Sequence, residues 1–216
     1  MAVTTVDARL PEGSDALPAP DVPRASIVVI SAGHAPASST ARLGQAIGDA
    51  ARDALTREGV DASVEHLEVR RFAGAVVRAL VDSVREDVIL DAVEAIQRAD
   101  ALVVVTPTVN ASFSGLLKSF LDVLPPHALR SVPTAIAATG GTTRHTLVLD
   151  QAVRPMLGYQ RAVVLPSCLY ATADEWDGPR PSEELAARIS AAGEELALFT
   201  RHRLRPAESR DRWHEG

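Results

Sequence analysis

The chain has 216 residues, of which 46% are hydrophobic and 23% charged, and a formal net charge of -6. That length suits one well-cored α/β domain better than two, and no run nears the ~18 consecutive apolar residues of a membrane helix. The negative balance argues against a general nucleic-acid surface, because phosphate binding needs clustered positive charge.

Residues 1–24 hold four prolines and show no apolar periodicity, the composition of a disordered leader. Asp7 and Arg9 stand where a secretory signal would carry its apolar core, so a cytoplasmic protein is expected. Ser26 to Ser31 is a short β-branched apolar run and reads as the first strand. A loop of small and hydroxyl residues, Ala32 to Thr40, follows it. From Ser39 or Thr40, the residues Leu43, Ile47, Ala50, Ala51, Ala54 and Leu55 recur at helical spacing until Gly59.

Asp61 to Val69 alternates as a second strand near a sheet edge, and Phe72 to Val84 and Glu86 to Arg98 read as helical segments. Ala101 to Val105 is apolar on both faces, which marks a central parallel strand covered by helices. It gives way to a polar loop, Thr106 to Ser112, and a helix from Ser114 to Leu124 that Pro125-Pro126 ends. Pro133 to Ala138 is the fourth strand, and Thr139 to His145 is the loop after it. Leu147 to Leu157 forms a helix adjusted around Pro155, and Arg161 to Leu165 is a fifth strand that extends toward Tyr170. A polar excursion, Asp174 to Pro181, precedes an alanine-rich helix opened by Ser182-Glu183-Glu184 and running to about Arg203. Residues 25–205 are therefore expected to form one domain, with a flexible tail over 206–216.

Alternating strands and helices with short connections predict a parallel sheet with helices on both faces. Five strands fit the flavodoxin-like three-layer α/β sandwich, order 2-1-3-4-5. In that order the first, third and fourth strands are contiguous, and the loops after them share one edge of the sheet. Those loops are the ones dense in Gly, Ser, Thr and Asn, and this coincidence is the physical argument for a ligand site.

Ser38, Ser39 and Thr40 at a helix start offer backbone N–H groups, hydroxyls and the positive end of a helix dipole to a phosphate; a plain N-cap is the bland alternative. Thr106 to Ser112 reads alone as a turn set by Pro107, and Gly140-Gly141 permits either close approach to a flat ligand or a tight turn. No histidine pair has metal-ligand spacing, and Cys168 is the sole cysteine, so neither a zinc site nor a disulfide is expected. Cys168 itself reads as a small core residue. His145 reads as a helix-start residue making a backbone hydrogen bond, and Lys118 as an exposed lysine paired with Asp122.

Three stretches carry a resemblance: Ala99-Asp100 through Pro107, Ser114-Gly115-Leu116-Leu117-Lys118, and Thr139-Gly140-Gly141-Thr142-Thr143-Arg144-His145 with Asp150 and Arg154-Pro155 beyond. Together they resemble the NAD(P)H-dependent FMN reductase family, in particular the reductase components that supply reduced FMN to luciferase-like or alkanesulfonate-type flavin monooxygenases. The resemblance implies FMN phosphate at Ser38, Ser39 and Thr40, with the isoalloxazine against Pro107, Thr108, Val109 and Asn110 and its edge at Thr139, Gly140 and Gly141. NADPH or NADH would supply the hydride, no side-chain catalytic acid or base would be needed, and the family is commonly dimeric or tetrameric. The chain departs from the family pattern where an arginine is frequent in the phosphate loop and where tyrosines are frequent at the positions of Val109 and Phe113. The alternatives are an FMN-bound quinone or azo-dye reductase and a non-enzymatic flavodoxin-like electron carrier. An aromatic content of 4% and a mild charge disfavour the carrier.

Overall fold

The computed structural model describes residues 22–204. Most of the expected leader and the whole expected tail lie outside the described residues. The first strand is β1 (Arg24–Ser31), followed by α1 (Ser39–Arg57) and β2 (Asp61–Glu68). A 3-10 turn, Val69–Phe72, leads into α2 (Ala73–Val81), then α3 (Asp87–Arg98) and β3 (Ala101–Val109). A short β4 (Ser112–Phe113) precedes α4 (Gly115–Val123) and β5 (Pro133–Gly140). The chain then runs through a π turn, Leu149–Val153, into α5 (Arg154–Tyr159), and on through β6 (Val163–Thr172). It ends with a small hairpin, β7 (Trp176–Asp177) and β8 (Arg180–Pro181), and α6 (Glu183–Leu204).

Five parallel strands lie in the order β2-β1-β3-β5-β6. This is the flavodoxin-like sandwich expected from the sequence, and only the extra strand β4 shifts the numbering. The cause is visible in the strands themselves. Ile27 to Ile30 of β1 and Ala101 to Val105 of β3 are wholly buried, as strands covered on both faces must be. Exposure in β2, by contrast, alternates from Asp61 to His66, as befits an edge strand.

One face of the sheet packs against α2, α3, α4 and α5, and the other against α1 and α6. On the first face Phe72 and Phe120 meet edge to face at 5.5 Å, a geometry worth ~0.5–1.5 kcal/mol beyond burial. On the second, α1 lies close to the sheet because Gly44 and Gly48 face Val29: a Cβ on either would stand 2.8 Å from that valine. The close fit fixes the start of α1 above the carboxyl ends of β1 and β3.

Three features differ from the expectations. Thr106 to Ser112 is not an open loop: β3 continues to Val109 and folds back through β4 in an antiparallel hairpin. Asn110 and Ala111 form its two-residue turn with φ of 48° and 64°, the conformation that matches strand twist. The segment after β6 is not a simple polar excursion, because Trp176 pairs with Pro181 in the β7–β8 hairpin. Cys168 is exposed rather than core. The β5–β6 register shifts between Thr134 and Ile136, where Leu165, Pro166 and Ser167 stand against the single Ala135, and the cysteine turns toward a cleft at the sheet edge.

Candidate functional site

The loop after β1 is anchored at both ends. Ala32 donates its backbone N–H to the Val105 carbonyl at 3.0 Å, so the loop leaves from beside β3. At its far end Ser38 caps α1, its Oγ accepting from the Ala41 N–H at 3.1 Å. Gly33 makes the loop possible, since a Cβ there would stand 2.2 Å from Ser38 Oγ and 3.2 Å from Thr40 Cβ. The result is a tight cradle over the first turn of a 19-residue helix, where unbonded N–H groups and the helix dipole favour an anion.

The loops are tied to one another by side chains. Thr40 Oγ1 and Thr139 Oγ1, both buried, share a hydrogen bond of 2.7 Å between the starts of α1 and the end of β5. His34 Nε2 and Ser114 Oγ share one of 2.9 Å between the β1 loop and the cap of α4. Ser114 in turn donates its N–H to Thr106 Oγ1 at 2.8 Å. Each bond joins residues at least eight positions apart, and together they lock the three loops as one surface.

That surface encloses a concavity of about 320 Å³, within the ~300–1,000 Å³ of small-molecule sites. Ser38, Ser39, Thr40, Pro107, Thr108, Thr139, Gly140 and Gly141 line it, joined by His34, Ala35 and Ala173. Eight of the ten sequence-predicted site residues are thus brought together. Val109 and Asn110 stand outside the lining, at the tip of the β3–β4 hairpin. Sequence reasoning missed His34, Ala35 and Ala173. The first two belong to the loop it had singled out, whereas Ala173 follows a strand it had ended earlier.

Arg42, the nearest arginine along the chain, does not serve this concavity. Its guanidinium lies over the Trp176 ring at 5.1 Å and donates to the Gly178 carbonyl at 3.0 Å, so it braces the β7–β8 hairpin. Lys118 is paired with Asp122 at 2.6 Å, as expected. His145 lies in the 3-10 turn Thr143–His145.

A larger concavity of about 590 Å³ is lined in part by Tyr170 and Thr172. The carboxylates of Asp150, Asp174, Glu175 and Glu184 line it against the single guanidinium of Arg188, which makes it a poor place for a phosphate. Cys168 borders it with Sγ 3.8 Å from Asp150 Oδ2. Partial burial, helped by the Asp150 charge, pushes that thiol above its ordinary pKa, which disfavours the thiolate.

With this geometry in view, residues 25–177 match the family described as NADPH-dependent FMN reductase. The chain belongs to that family. It is 46% identical over 115 residues to the NADH-dependent FMN reductase SfnF of Pseudomonas fluorescens, a match covering 52% of this chain and 61% of that protein. It therefore spans less than two thirds of that relative's length. With the NADH-dependent FMN reductase SfnE of Pseudomonas putida it shares 36% identity over 158 residues, 69% of this chain and 85% of the relative. Among solved structures, an oxidoreductase from Corynebacterium diphtheriae superposes with a TM-score of 0.78 at 37% identity, covering 84% of this chain and 99% of that one.

The residues present fit the cofactor that this family of FMN reductases uses. The Gly33 cradle over the start of α1 suits a phosphate, and a Cβ on Gly141 would meet nothing within 4 Å, leaving open space at the ring side. Thr108, which lines this concavity, has its Oγ1 buried with no hydrogen-bond partner among the described residues.

Proposed function

We infer that the chain catalyses the reduction of FMN by NAD(P)H, with residues 25–205 acting as one reductase domain. The observation that carries this reading is the convergence of three hydroxyl- and glycine-rich loops on one concavity, at the carboxyl ends of β1, β3 and β5. Ser38 holds the first turn of α1 in place, and Ser39 with that turn's N–H groups binds the phosphate. Thr40 and Thr139 keep the β1 and β5 loops at a fixed separation. Pro107 and Thr108 give one wall of the ring site, Gly140 and Gly141 its edge, and Val109 and Asn110 its rim at the hairpin tip. When bound, FMN supplies the redox chemistry by accepting hydride from the nicotinamide.

The protein's part is orientation and the exclusion of water, not proton transfer. Among the described residues that line the concavity, His34 is the sole titratable group, and its ring is already joined to Ser114. The flavin loops are open to solvent at Gly141 and Ala35, which supports an exchangeable FMN handed to a flavin monooxygenase. A homodimer or homotetramer is supported by the exposed apolar side chains of Val77, Leu80, Val81, Val84, Val88 and Leu90 on α2, α3 and the connection between them. A cytoplasmic setting agrees with the finding that no helix among the described residues is long and apolar enough to cross a membrane.

The test is NADH or NADPH oxidation by the purified protein. Oxidation that depends on added FMN supports the reading, and no turnover with FMN, FAD or riboflavin contradicts it.

A further inference from the structure

His34 is exposed, and it is the sole titratable side chain among the described residues that line the flavin concavity. Its place is set by its neighbours in the chain. Ala32 is tied to the Val105 carbonyl and Gly33 is pressed against Ser38, so the next residue emerges between the starts of α1 and α4. The ring is fixed as well. Nε2 shares a hydrogen bond of 2.9 Å with Ser114 Oγ. Ser114 is fully buried, accepts from the Leu116 N–H at 3.2 Å as the cap of α4, and donates its own N–H to Thr106 Oγ1 at 2.8 Å. An exposed imidazole is thereby held in one orientation by a residue that is itself pinned.

That bond commits one ring nitrogen and leaves the other. Nδ1 has no hydrogen-bond partner among the described residues, and none of the described residues lining the concavity is a carboxylate that could take it. Charges on the neighbouring elements are engaged or lie elsewhere. Arg42 of α1 is held by Trp176 and the Gly178 carbonyl, and Lys118 of α4 is paired with Asp122. The β3–β4 hairpin, Thr106 to Phe113, has no ionisable side chain. Arg144 and His145, in the turn after Gly141, are outside the lining. Beyond Ala173, Asp174 and Glu175 line the neighbouring concavity, where Arg188 holds Glu175.

A neutral imidazole has one N–H and one acceptor nitrogen, whereas an imidazolium has two N–H groups. With Nε2–H directed to Ser114, the second N–H of the charged form is left for a ligand. A cation with a donor to spare, in the same concavity as a helix start, suits an anion. Resting on the reading of that helix start as the FMN phosphate site, we propose that His34 sets this chain's preference for FMN over riboflavin, its imidazolium donating Nε2–H to Ser114 and Nδ1–H to a phosphate oxygen. Solution pH can withdraw this cation, because an imidazole changes charge between about pH 5 and 8. Its contribution to FMN binding is therefore present on the acid side and fades as the pH rises, while riboflavin, which has no phosphate, does not sense it. The phosphate monoester gains charge over the same range, with a second pKa of about 6, so the histidine's part is the difference between wild type and variant at each pH.

The experiment titrates FMN and riboflavin into the purified apo-protein at about pH 5.5 and about pH 8.5, at one ionic strength. It compares the wild type with His34→Gln, which keeps a neutral N–H donor and removes the charge, and records the apo melting temperature of both. At the lower pH the variant should raise Kd for FMN about five- to twenty-fold, the loss of one charge-assisted hydrogen bond at an exposed site. Its Kd for riboflavin and its melting temperature should stay at the wild-type values, and at the higher pH the two proteins should bind FMN alike. An FMN-to-riboflavin ratio equal to that of the wild type at the lower pH overturns the proposal and leaves the phosphate reading intact. So does a loss that strikes both flavins equally or is the same size at both pH values, since the His34–Ser114 bond would then be only a tie between loops. A wild type with no preference for FMN over riboflavin at either pH removes the phosphate reading as well, and one that binds neither removes the flavin reading.

Discussion

The hydroxyls beneath the loop after β1 and those beneath Gly140 are the same chemistry in opposite states. On the β1 side Ser38 caps α1, Thr40 is bonded to Thr139, and Ser31 Oγ meets His66 Nε2 at 2.8 Å. On the β5–β6 side Thr108 Oγ1 and Tyr170 Oη are buried with no partner among the described residues. A paired hydroxyl stabilises the scaffold, whereas a buried unpaired one costs folding free energy. The β1 side is thus satisfied within the scaffold, whereas the β5–β6 side keeps two buried hydroxyls without a partner among the described residues.

The largest expected effect breaks the paired end. Gly33→Ala places a Cβ 2.2 Å from Ser38 Oγ and 3.1 Å from Ser38 Cβ, so the cap must move, at an overpacking cost of ~1–3 kcal/mol. Equilibrium unfolding should show that loss, and FMN titration a Kd raised by more than tenfold. A variant with wild-type stability and affinity would mean the cradle is not tight.

A smaller effect sharpens the comparison at the β3–β4 hairpin, which is strained without being unpaired. Ala111 holds φ of 64° in the β3–β4 turn, a conformation that costs an L-residue ~1–2 kcal/mol, partly offset by the ~0.4–1 kcal/mol that alanine saves in the unfolded chain. Ala111→Gly should therefore stabilise the protein by about 0.5–1 kcal/mol in a denaturant titration. No gain, or a loss, would contradict the turn geometry.

Smaller still is the pH response of the paired end. His66 is held below its ordinary pKa of 6.5 chiefly by burial, with Arg71 adding to the depression and Glu68 and Asp49 opposing it. The unfolded chain then takes up the proton first, so stability is full above pH 6.5 and falls as the pH drops toward the folded value. Denaturant midpoints of the apo-protein at pH 7.5 and about 5.5 should show the fall. His66→Gln should flatten it, and an identical slope in that variant would assign the response elsewhere.

Much of this was legible in the sequence, for identifiable reasons. Ile27 to Ile30 and Ala101 to Val105 declare central parallel strands because both faces of each are apolar, and that alone puts the loops after them side by side. Ser38 to Thr40 announces a helix start through residue type. What stayed hidden depends on partners distant in the chain. The His34–Ser114 bond spans 80 positions and the Thr40–Thr139 bond 99, and no local pattern marks either. The β3–β4 hairpin was missed because Ala111 is a poor signal for a left-handed turn position. Cys168 looked like core because its neighbours are apolar, but the register shift beside Pro166 turned it out. The approach of Tyr170 to Gly140 likewise exists only across two adjacent strands, and no local pattern marks it.

The most direct test of the central claim is the ratio of FMN to riboflavin affinity in the wild type and in the Ser39→Ala, Thr40→Ala double variant. Using the ratio cancels the stability lost with the Thr40–Thr139 bond, because both flavins need the same scaffold. The account predicts that FMN weakens about 10- to 100-fold, as for lost hydrogen bonds to a charged group, while riboflavin changes little. Equal weakening of the two ligands would contradict a phosphate site at the start of α1.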